Sequence, residues 1–372
     1  MSDLIERRRL TRKDWQRLAE AIVEEYNRRK KTRADLEYRW REIDRQLSMK
    51  PKVRFDPVSP WMQAFEVPWQ ATALETLLAD AQRLSFPPSR EWFTASASLS
   101  EKDFKGLDFA SYIERDVVNQ IGRAIDSRGP QIFANVVVRR FLEWIHRQQD
   151  YGAVWDLLNC EAFKYGTLTG QVRMARREVH LDTYRGVVRK EMMIPVLVPH
   201  SVKYVYLDDS PARLLREGEI IQPSPIRWMR MRYDDLVLAA RKGSDDPKND
   251  QGGWIAGNIG DIEGDNDGCV TLLEQEGDIL IPRKAGEGIY VPNVIVSVAL
   301  GGGKSGGGAA ASVVRYREQK FPFRSYVIGH YQLDDVDAAY GTSPFMKGYP
   351  IQCAGSDALN RAMAGAALAV QP

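Results

Sequence analysis

The sequence from Ala339 to Pro372, AYGTSPFMKGYPIQCAGSDALNRAMAGAALAVQP, predicts one long helix built mostly from small residues. Thr342 and Ser343 can cap its first turn, and Pro344 suits the first helical position, where the backbone N–H has no partner in any case. A helix from Ser343 to Val370 is about 40 Å long at ~1.5 Å rise per residue. An element of this length needs neighbours along much of its surface, so it constrains how the rest of the chain can pack.

The small residues of this helix leave two interpretations open. Alanine favours helix by propensity alone. Small residues also permit close packing on more than one side, against a core or against further copies of the chain. Pro350 predicts a kink or a short break, because proline removes a backbone hydrogen bond. Asp357 and Arg361 interrupt the apolar run, which falls short of the ~20 residues that a bilayer requires, so no membrane span is predicted.

The composition of the 372-residue chain indicates a globular protein with two or three subdomains. Its formal net charge of +2 gives no reason to expect a polyanionic or polycationic partner. Cys160, Cys269 and Cys353 stand far apart, which indicates neither a zinc site nor a disulfide framework and favours a reducing compartment. The first ten residues contain no apolar signal core, so neither secretion nor a membrane anchor is expected.

The first 165 residues show mainly helical periodicity. Thr11 and Asp14 have the spacing of a capping box at the start of the first helix. The basic run from Arg28 to Arg33 predicts either a solvated turn or a surface that contacts phosphates, with no base-reading motif beside it. Helices are predicted over residues 11–48, 70–84, 108–128, 131–148 and 155–165.

Alternating and short apolar runs from Gln171 onward predict strands. Helices followed by sheet and then by a terminal helix indicate an α+β fold with a central mixed or antiparallel β region. Strands are predicted from Gln171 and over residues 192–198, 202–207, 226–233, 270–281, 289–300, 312–318 and 323–328, with a short helix over 233–241.

Three separated stretches share one further pattern. The sequence Val67-Pro68-Trp69-Gln70 leads through a helix to Phe86-Pro87-Pro88 and Glu91-Trp92-Phe93, and a second stretch spans residues 151–174. The third stretch, 321–370, opens with Phe321-Pro322-Phe323-Arg324. In order and spacing these stretches resemble the portal (head-tail connector) proteins of short-tailed double-stranded DNA bacteriophages. The residues that carry the resemblance are Pro68, Trp69, Gln70, Phe86, Pro87, Trp92, Phe93, Tyr340, Gly341, Ser343, Pro344, Pro350 and Asn360.

The resemblance implies a structural protein, not an enzyme, that needs no cofactor and no membrane. Subunits of this family form a ring, usually of twelve, at one capsid vertex of the virion, after assembly in the host cytoplasm. Double-stranded DNA passes non-specifically through the channel during genome packaging and ejection. The implied partners are further copies of the chain, a terminase motor, the major capsid protein and tail adaptor proteins.

The same resemblance divides the chain into four regions. We expect an N-terminal helical segment (1–54), a helical wing region (55–170), a β-rich wing region (171–335) and a first stem helix (336–372). In the family a clip follows this helix, and the sequence stops where the clip should begin. The sequence is therefore expected to be a fragment of a longer protein or a short form. The alternative is a virion or cellular scaffold that oligomerises through the C-terminal helix and encloses no channel.

An acidic loop resembles a calcium-binding loop. Glu263, Asp265, Asp267 and Glu274 occupy four of the ligand positions, with Gly268 at the tight turn. The first position normally holds Asp, and the flanking sequence predicts strands instead of two helices. A solvated acidic loop without a metal is the preferred interpretation.

The run Gly301-Gly302-Gly303-Lys304-Ser305 suggests a phosphate-binding loop but departs from its pattern. The motif requires glycine five residues before Gly303, where this chain has Val298. Three further glycines follow Ser305, and they disfavour the helix whose N-terminus would hold the anion. A flexible hairpin tip is predicted instead. The four histidines are scattered, and the sequence offers no recognisable catalytic group of residues.

Overall fold

The chain divides into two compact, interleaved units. The first contains Met1–Gln70, Glu161–Thr169 and His200–Pro372, and the second contains Ala71–Cys160 and Gly170–Pro199. The computed structural model describes residues 11–50, 65–85, 139, 142–145, 150–183, 186–208, 224–244, 253–259, 262, 265, 267–282, 288–301, 311–319, 325–334 and 338–370.

The described elements confirm the predicted α+β class. The four predicted regions (1–54, 55–170, 171–335 and 336–372) stay a prediction. In chain order the elements are α1 (Arg12–Thr32), α2 (Ala34–Leu47), α3 (Trp69–Ser85), α4 (Tyr151–Tyr165), β1 (Thr167–Thr183), β2 (Gly186–His200), a 3₁₀ turn (Val202–Tyr204), β3 (Val205–Tyr206), β4 (Ile226–Arg232), α5 (Tyr233–Ser244), α6 (Ala256–Ile259), β5 (Cys269–Pro282), β6 (Gly288–Leu300), β7 (Ser312–Glu318), β8 (Tyr326–His330) and α7 (Pro344–Val370).

A five-stranded antiparallel sheet of order β3-β4-β5-β6-β7 forms the centre of the first unit. Side chains alternate between the two faces of a strand. Leu273 accordingly packs with Leu18 and Ile22 of α1, whereas Leu272 packs on the other face with Leu236 of α5 and Ile259 of α6. Helices therefore cover both faces of the sheet.

A second sheet has the order β2-β1-β8. Within the first unit, the start of β1 lies against β8. The Leu168 side chain lies 3.1 Å from the position that a Cβ on Gly329 would occupy, closer than an ordinary van der Waals contact, and the Tyr331 N–H donates to the Gly166 carbonyl over 2.9 Å. This sheet joins the end of α4 to the segment that precedes α7.

Several predicted elements differ in the structure. Residues 202–207 are not one strand, because Val202–Tyr204 forms a 3₁₀ turn and only Val205–Tyr206 pairs with β4. Pro350 was expected to cause a kink or a short break; the break was wrong, since α7 is helical from Pro344 to Val370, and the kink stays a prediction. The helix continues past Pro350 because one proline removes only a single backbone hydrogen bond and the turns on either side keep theirs.

The predicted helix over residues 11–48 is two helices that meet at Arg33. The capping box is confirmed: the Asp14 N–H donates to the Thr11 hydroxyl over 3.3 Å, and the Thr11 N–H donates to the Asp14 carboxylate over 3.0 Å. The basic run at the end of α1 was predicted to be solvated or to contact phosphate. Both interpretations were wrong for Arg29 and Arg33, because these two side chains are buried.

Arg33 makes an unusually complete set of contacts for a buried cation. Its guanidinium donates to the carbonyls of Val202, Lys203 and Val205 at 2.9, 2.7 and 2.8 Å. It also forms a 2.7 Å ion pair with Glu37 and lies 3.7 Å from the centre of the Tyr206 ring. The side chain is 1% exposed, so these partners replace water entirely.

Replacing Arg33 with alanine should lower the free energy of unfolding by about 3 kcal/mol or more, because three carbonyls and a carboxylate then lose their donor. Lys31→Ala is the control, since the Lys31 side chain on the same turn is exposed. Urea unfolding followed by circular dichroism measures both variants. Equal losses for the two would contradict the structural role assigned to Arg33.

Candidate functional site on the C-terminal helix

The start of α7 confirms the predicted cap. The Ser343 side chain accepts hydrogen bonds from the N–H groups of Phe345 and Met346, both over 3.1 Å, and Ser343 is fully buried. Pro344 occupies the first helical position, as its sequence context predicted. Thr342 does not cap: its N–H donates to the Gln332 carbonyl over 2.7 Å, and its hydroxyl bonds Asp334.

Gly341 is a point of close backbone approach. A Cβ built on it would lie 2.2 Å from the carbonyl oxygen of Gly166, so only glycine is tolerated there. Its N–H donates to the Thr167 hydroxyl over 2.8 Å. Gly166 follows α4 with a positive φ of 79°, a backbone conformation that glycine adopts without strain. The residues before α7 are thus held against the turn between α4 and β1.

Tyr340 ties the same segment to the N-terminal helices. Its hydroxyl accepts hydrogen bonds from the Leu207 N–H over 2.9 Å and from Arg33 over 3.4 Å. Its ring packs edge-on against Trp40 of α2, with 5.8 Å between ring centres. Burial raises the pKa of Tyr340, which keeps the hydroxyl neutral.

A short extended segment, residues 65–68, lies along α7, and we call it the strap. Asn360 binds the backbone of Phe65 twice: its side-chain oxygen accepts from the N–H over 2.8 Å, and its nitrogen donates to the carbonyl over 2.9 Å. Ser356 accepts from the Val67 N–H over 3.2 Å. Helical side chains here satisfy an extended backbone in the way that a neighbouring strand would.

Gln352 completes this contact one turn earlier on the helix. Its side-chain nitrogen donates to the Val67 carbonyl and, over 3.2 Å, to the Glu66 carboxylate, which also accepts from Ser356 over 3.2 Å. Gln352, Ser356 and Asn360 are spaced four residues apart, so they form one stripe on the helix. We call this stripe the polar ladder.

The residues after the strap also contact α7. The Gln70 side chain donates to the Phe345 carbonyl over 3.2 Å. The Trp69 ring covers Gly355 so closely that a Cβ on this glycine would lie 2.3 Å from the ring. Motif residues that are far apart in the sequence, Trp69 and Gln70 on one side and the 340–360 stretch on the other, therefore lie together.

The opposite side of α7 is exposed and built mainly from small apolar residues, with Lys347 and Arg361 among them. Ile351 lies on this side and is 69% exposed, whereas Leu359, which is 42% exposed, lies about 60° from Ser356, beside the polar ladder. A surface helix normally buries its apolar face and exposes its polar one. In α7 the buried stripe is polar and the exposed side is mainly apolar, which is the reverse arrangement. The exposed residues of this side are Lys347, Pro350, Ile351, Ala354, Ala358, Arg361, Ala362, Gly365, Ala366 and Ala369.

Several predicted positions lie outside the described residues. They are Phe86, Pro87, Trp92, Phe93, Glu263, the run from Gly302 to Ser305, the helix at 108–128 and most of that at 131–148.

The remaining residues of the predicted calcium loop have protein partners. Asp265 and Asp267 form ion pairs with Arg230, whereas Glu274 is buried in β5 and pairs with Arg315 over 2.8 Å. Within the described ranges, no group of three or more His, Cys, Asp or Glu side chains is placed to hold a metal ion.

The sequence did not reveal the polar ladder as a binding stripe. Asn360 was singled out by its place in the motif, but Gln352 and Ser356 were not. The available indication was that three polar residues recur at every fourth position in a helix made mainly of small apolar residues. Glu66, whose carboxylate bonds both Gln352 and Ser356 and pairs with Arg45 over 3.2 Å, was also missed.

No family model matches this sequence, and no curated protein matches it. Among the helices that the structure describes, none is both long enough and apolar enough to cross a membrane.

Gly341→Ala should destabilise the fold by about 1–3 kcal/mol, because the added methyl group forces the Gly166 carbonyl to move. Gly365→Ala is the matched control: a Cβ there meets nothing within 4 Å, and alanine in a helix is favoured over glycine by up to about 1 kcal/mol. Thermal melting of both variants tests the assignment. A melting temperature that does not fall in Gly341→Ala would show that the backbone contact is not needed.

Proposed function

We propose that the chain is a portal subunit that forms a ring at a capsid vertex. The observation that carries this proposal is the reversed polarity of α7. Its polar ladder faces the strap of its own subunit, and its apolar, small-residue side remains available. A helix of this kind suits close packing against the same helix of neighbouring subunits.

The placement of the motif residues supports the same proposal. The Pro68-Trp69-Gln70 sequence and the Tyr340 to Asn360 stretch were recognised as separate parts of a resemblance to portal proteins. The hydrogen bonds from Gln70 to the Phe345 carbonyl and from Asn360 to Phe65 join these parts at α7. One physical role, holding the proposed stem helix in place, accounts for residues in both stretches.

The proposed mechanism is structural. A ring of about twelve subunits would let double-stranded DNA pass through its centre without reading its sequence. A terminase motor would supply the energy for packaging, and the major capsid protein and tail adaptors would bind the outside of the ring. The protein would act in the virion, at the portal vertex, after assembly in the host cytoplasm.

A scaffold without a channel is the second candidate, because the exposed side of α7 could also join subunits into another closed assembly. Negative-stain electron microscopy of the purified protein distinguishes the two. Rings of about twelve subunits with a hole wide enough for duplex DNA support the portal proposal. Closed assemblies without a hole favour the scaffold, and monomers at every concentration count against both.

Ala362→Trp should prevent ring assembly while the subunit stays folded. Ala362 lies on the exposed side of α7, so an indole has room in the monomer but not against a closely packed neighbour. Size-exclusion chromatography with light scattering measures assembly, and circular dichroism measures folding. Ala153→Trp, at an exposed alanine of α4, is the control and should assemble normally. Normal rings from Ala362→Trp would refute the packing of α7 against neighbours.

A further inference from the structure

A groove lies between α2 and the first turns of α7. It encloses about 300 Å³ and is lined chiefly by apolar surface from Tyr38, Ile43, Met346, Tyr349 and Pro350. The two helices pack within one compact unit, so the groove is a feature of the single subunit. Its size and apolar lining suit one branched aliphatic side chain together with its flanking backbone.

Arg39, Glu42 and Tyr349 are polar residues that line this groove, and Glu42 and Tyr349 are partners of each other. The Tyr349 hydroxyl donates to the Glu42 carboxylate over 2.9 Å, and Arg45 pairs with the same carboxylate over 3.4 Å. Burial raises the pKa of Tyr349 to about 12, so the phenol remains a neutral donor. What the groove offers to an incoming group is mainly apolar contact, with Arg39 beside it.

Ile351 is the exposed apolar side chain closest in sequence to this groove, but it points away from it. Residues two apart on a helix differ by about 200° in direction and by about 3 Å in height. Ile351 thus lies at nearly the level of Tyr349, on almost the opposite side of α7. Its 69% exposure is unusual for a branched aliphatic residue in the first half of a long helix.

A closed ring of more than two subunits places strict requirements on its contacts. Each interface is heterologous, so one surface of a subunit meets a different surface of the next. Rotation about the ring axis also keeps every residue at the same height in all copies. A projecting side chain and its receiving groove must therefore lie at one level, on opposite sides of the subunit. With α7 parallel to the ring axis, Ile351 and the groove lie at one level and on nearly opposite sides of the helix, as such a contact requires.

We propose that Ile351 of one copy inserts into the groove between α2 and α7 of the next copy. This inference rests on the proposed ring and adds the contact that joins its neighbours. The occupant is a second copy of this chain. Ala354, Ala358 and Ala362 continue the exposed side of α7 from Ile351 and would pack beside the same neighbour.

Cysteine crosslinking tests the direction of the contact. The native residues Cys160, Cys269 and Cys353 are first replaced by serine. Tyr38→Cys and Ile351→Cys are then combined in one chain, and the assembled protein is oxidised or treated with a short bifunctional thiol reagent. We expect a ladder of covalent oligomers on a denaturing gel, because each subunit is joined to two neighbours. Each single variant alone should remain uncrosslinked.

The other outcomes overturn the inference in distinguishable ways. Covalent dimers from Ile351→Cys alone would show a two-fold, isologous contact. Rings in electron micrographs without a ladder would refute this contact while leaving the proposed function intact. Absence of both rings and a ladder would refute the two together. An apolar small molecule retained by the monomer in native mass spectrometry, again without a ladder, would assign the groove to a ligand.

Substitution of Ile351 provides an independent measurement. Ile351→Asp should require about tenfold or more higher protein concentration for assembly, since burial of an isoleucine side chain favours association by at least that factor. Ile351→Leu should assemble nearly as the original chain does, because volume and apolarity are kept. Both variants should melt like the original subunit, as the residue is exposed. Equal assembly of the Asp and Leu variants would overturn the proposal.

Discussion

One buried guanidinium, that of Arg33, holds the first unit together at the place where its parts meet. It lies at the junction of α1 and α2, donates to three carbonyls at the turn that leads into β3, and contacts Tyr340 ahead of α7. Two of those carbonyls belong to the 3₁₀ turn, and the third is that of Val205, the first residue of β3. A lysine could not replace this planar set of donors, because its ammonium group offers a single point of charge. One cation thus contacts α1 and α2, the edge of the sheet at β3, and the segment that leads into α7.

The polarity of α7 follows from what lies on each of its sides. Backbone groups of the strap cannot be buried without hydrogen-bond partners, and the polar ladder supplies them. An apolar side chain at Ser356 or Asn360 would leave those groups unsatisfied, so this side of the helix must be polar. The apolar side is released from any role within the unit. The two sides together form a helix anchored to its own subunit by hydrogen bonds and free to associate by apolar contact, which is the property on which the proposed ring depends.

Local patterns predicted the elements well and their partners poorly. Apolar spacing placed α3, β7 and α7 within one residue of their ends, and the Thr11–Asp14 box and the Ser343 cap were both recognised. These features depend on residues close together in the chain. The burial of Arg33 depends on carbonyls up to 172 residues away, and backbone carbonyls leave no mark in a sequence. For the same reason the run from Arg28 to Arg33, which is nearly all basic, predicted a solvated turn. The order of elements along the chain also did not show that each of the two units is built from separate stretches of sequence.

The bond between Phe65 and Asn360 joins positions 295 residues apart, which has a consequence for synthesis of the chain. At ~5–20 residues per second, roughly 15 to 60 s separate the emergence of the strap from that of its helix. During this interval the backbone of residues 65–67 has only water as a partner, and α1 and α2 wait for the later strands. Contacts of such long range also slow folding once the chain is complete. The surface proposed to join subunits therefore takes shape only after almost the whole unit has been made, so that incomplete chains cannot enter an assembly through it.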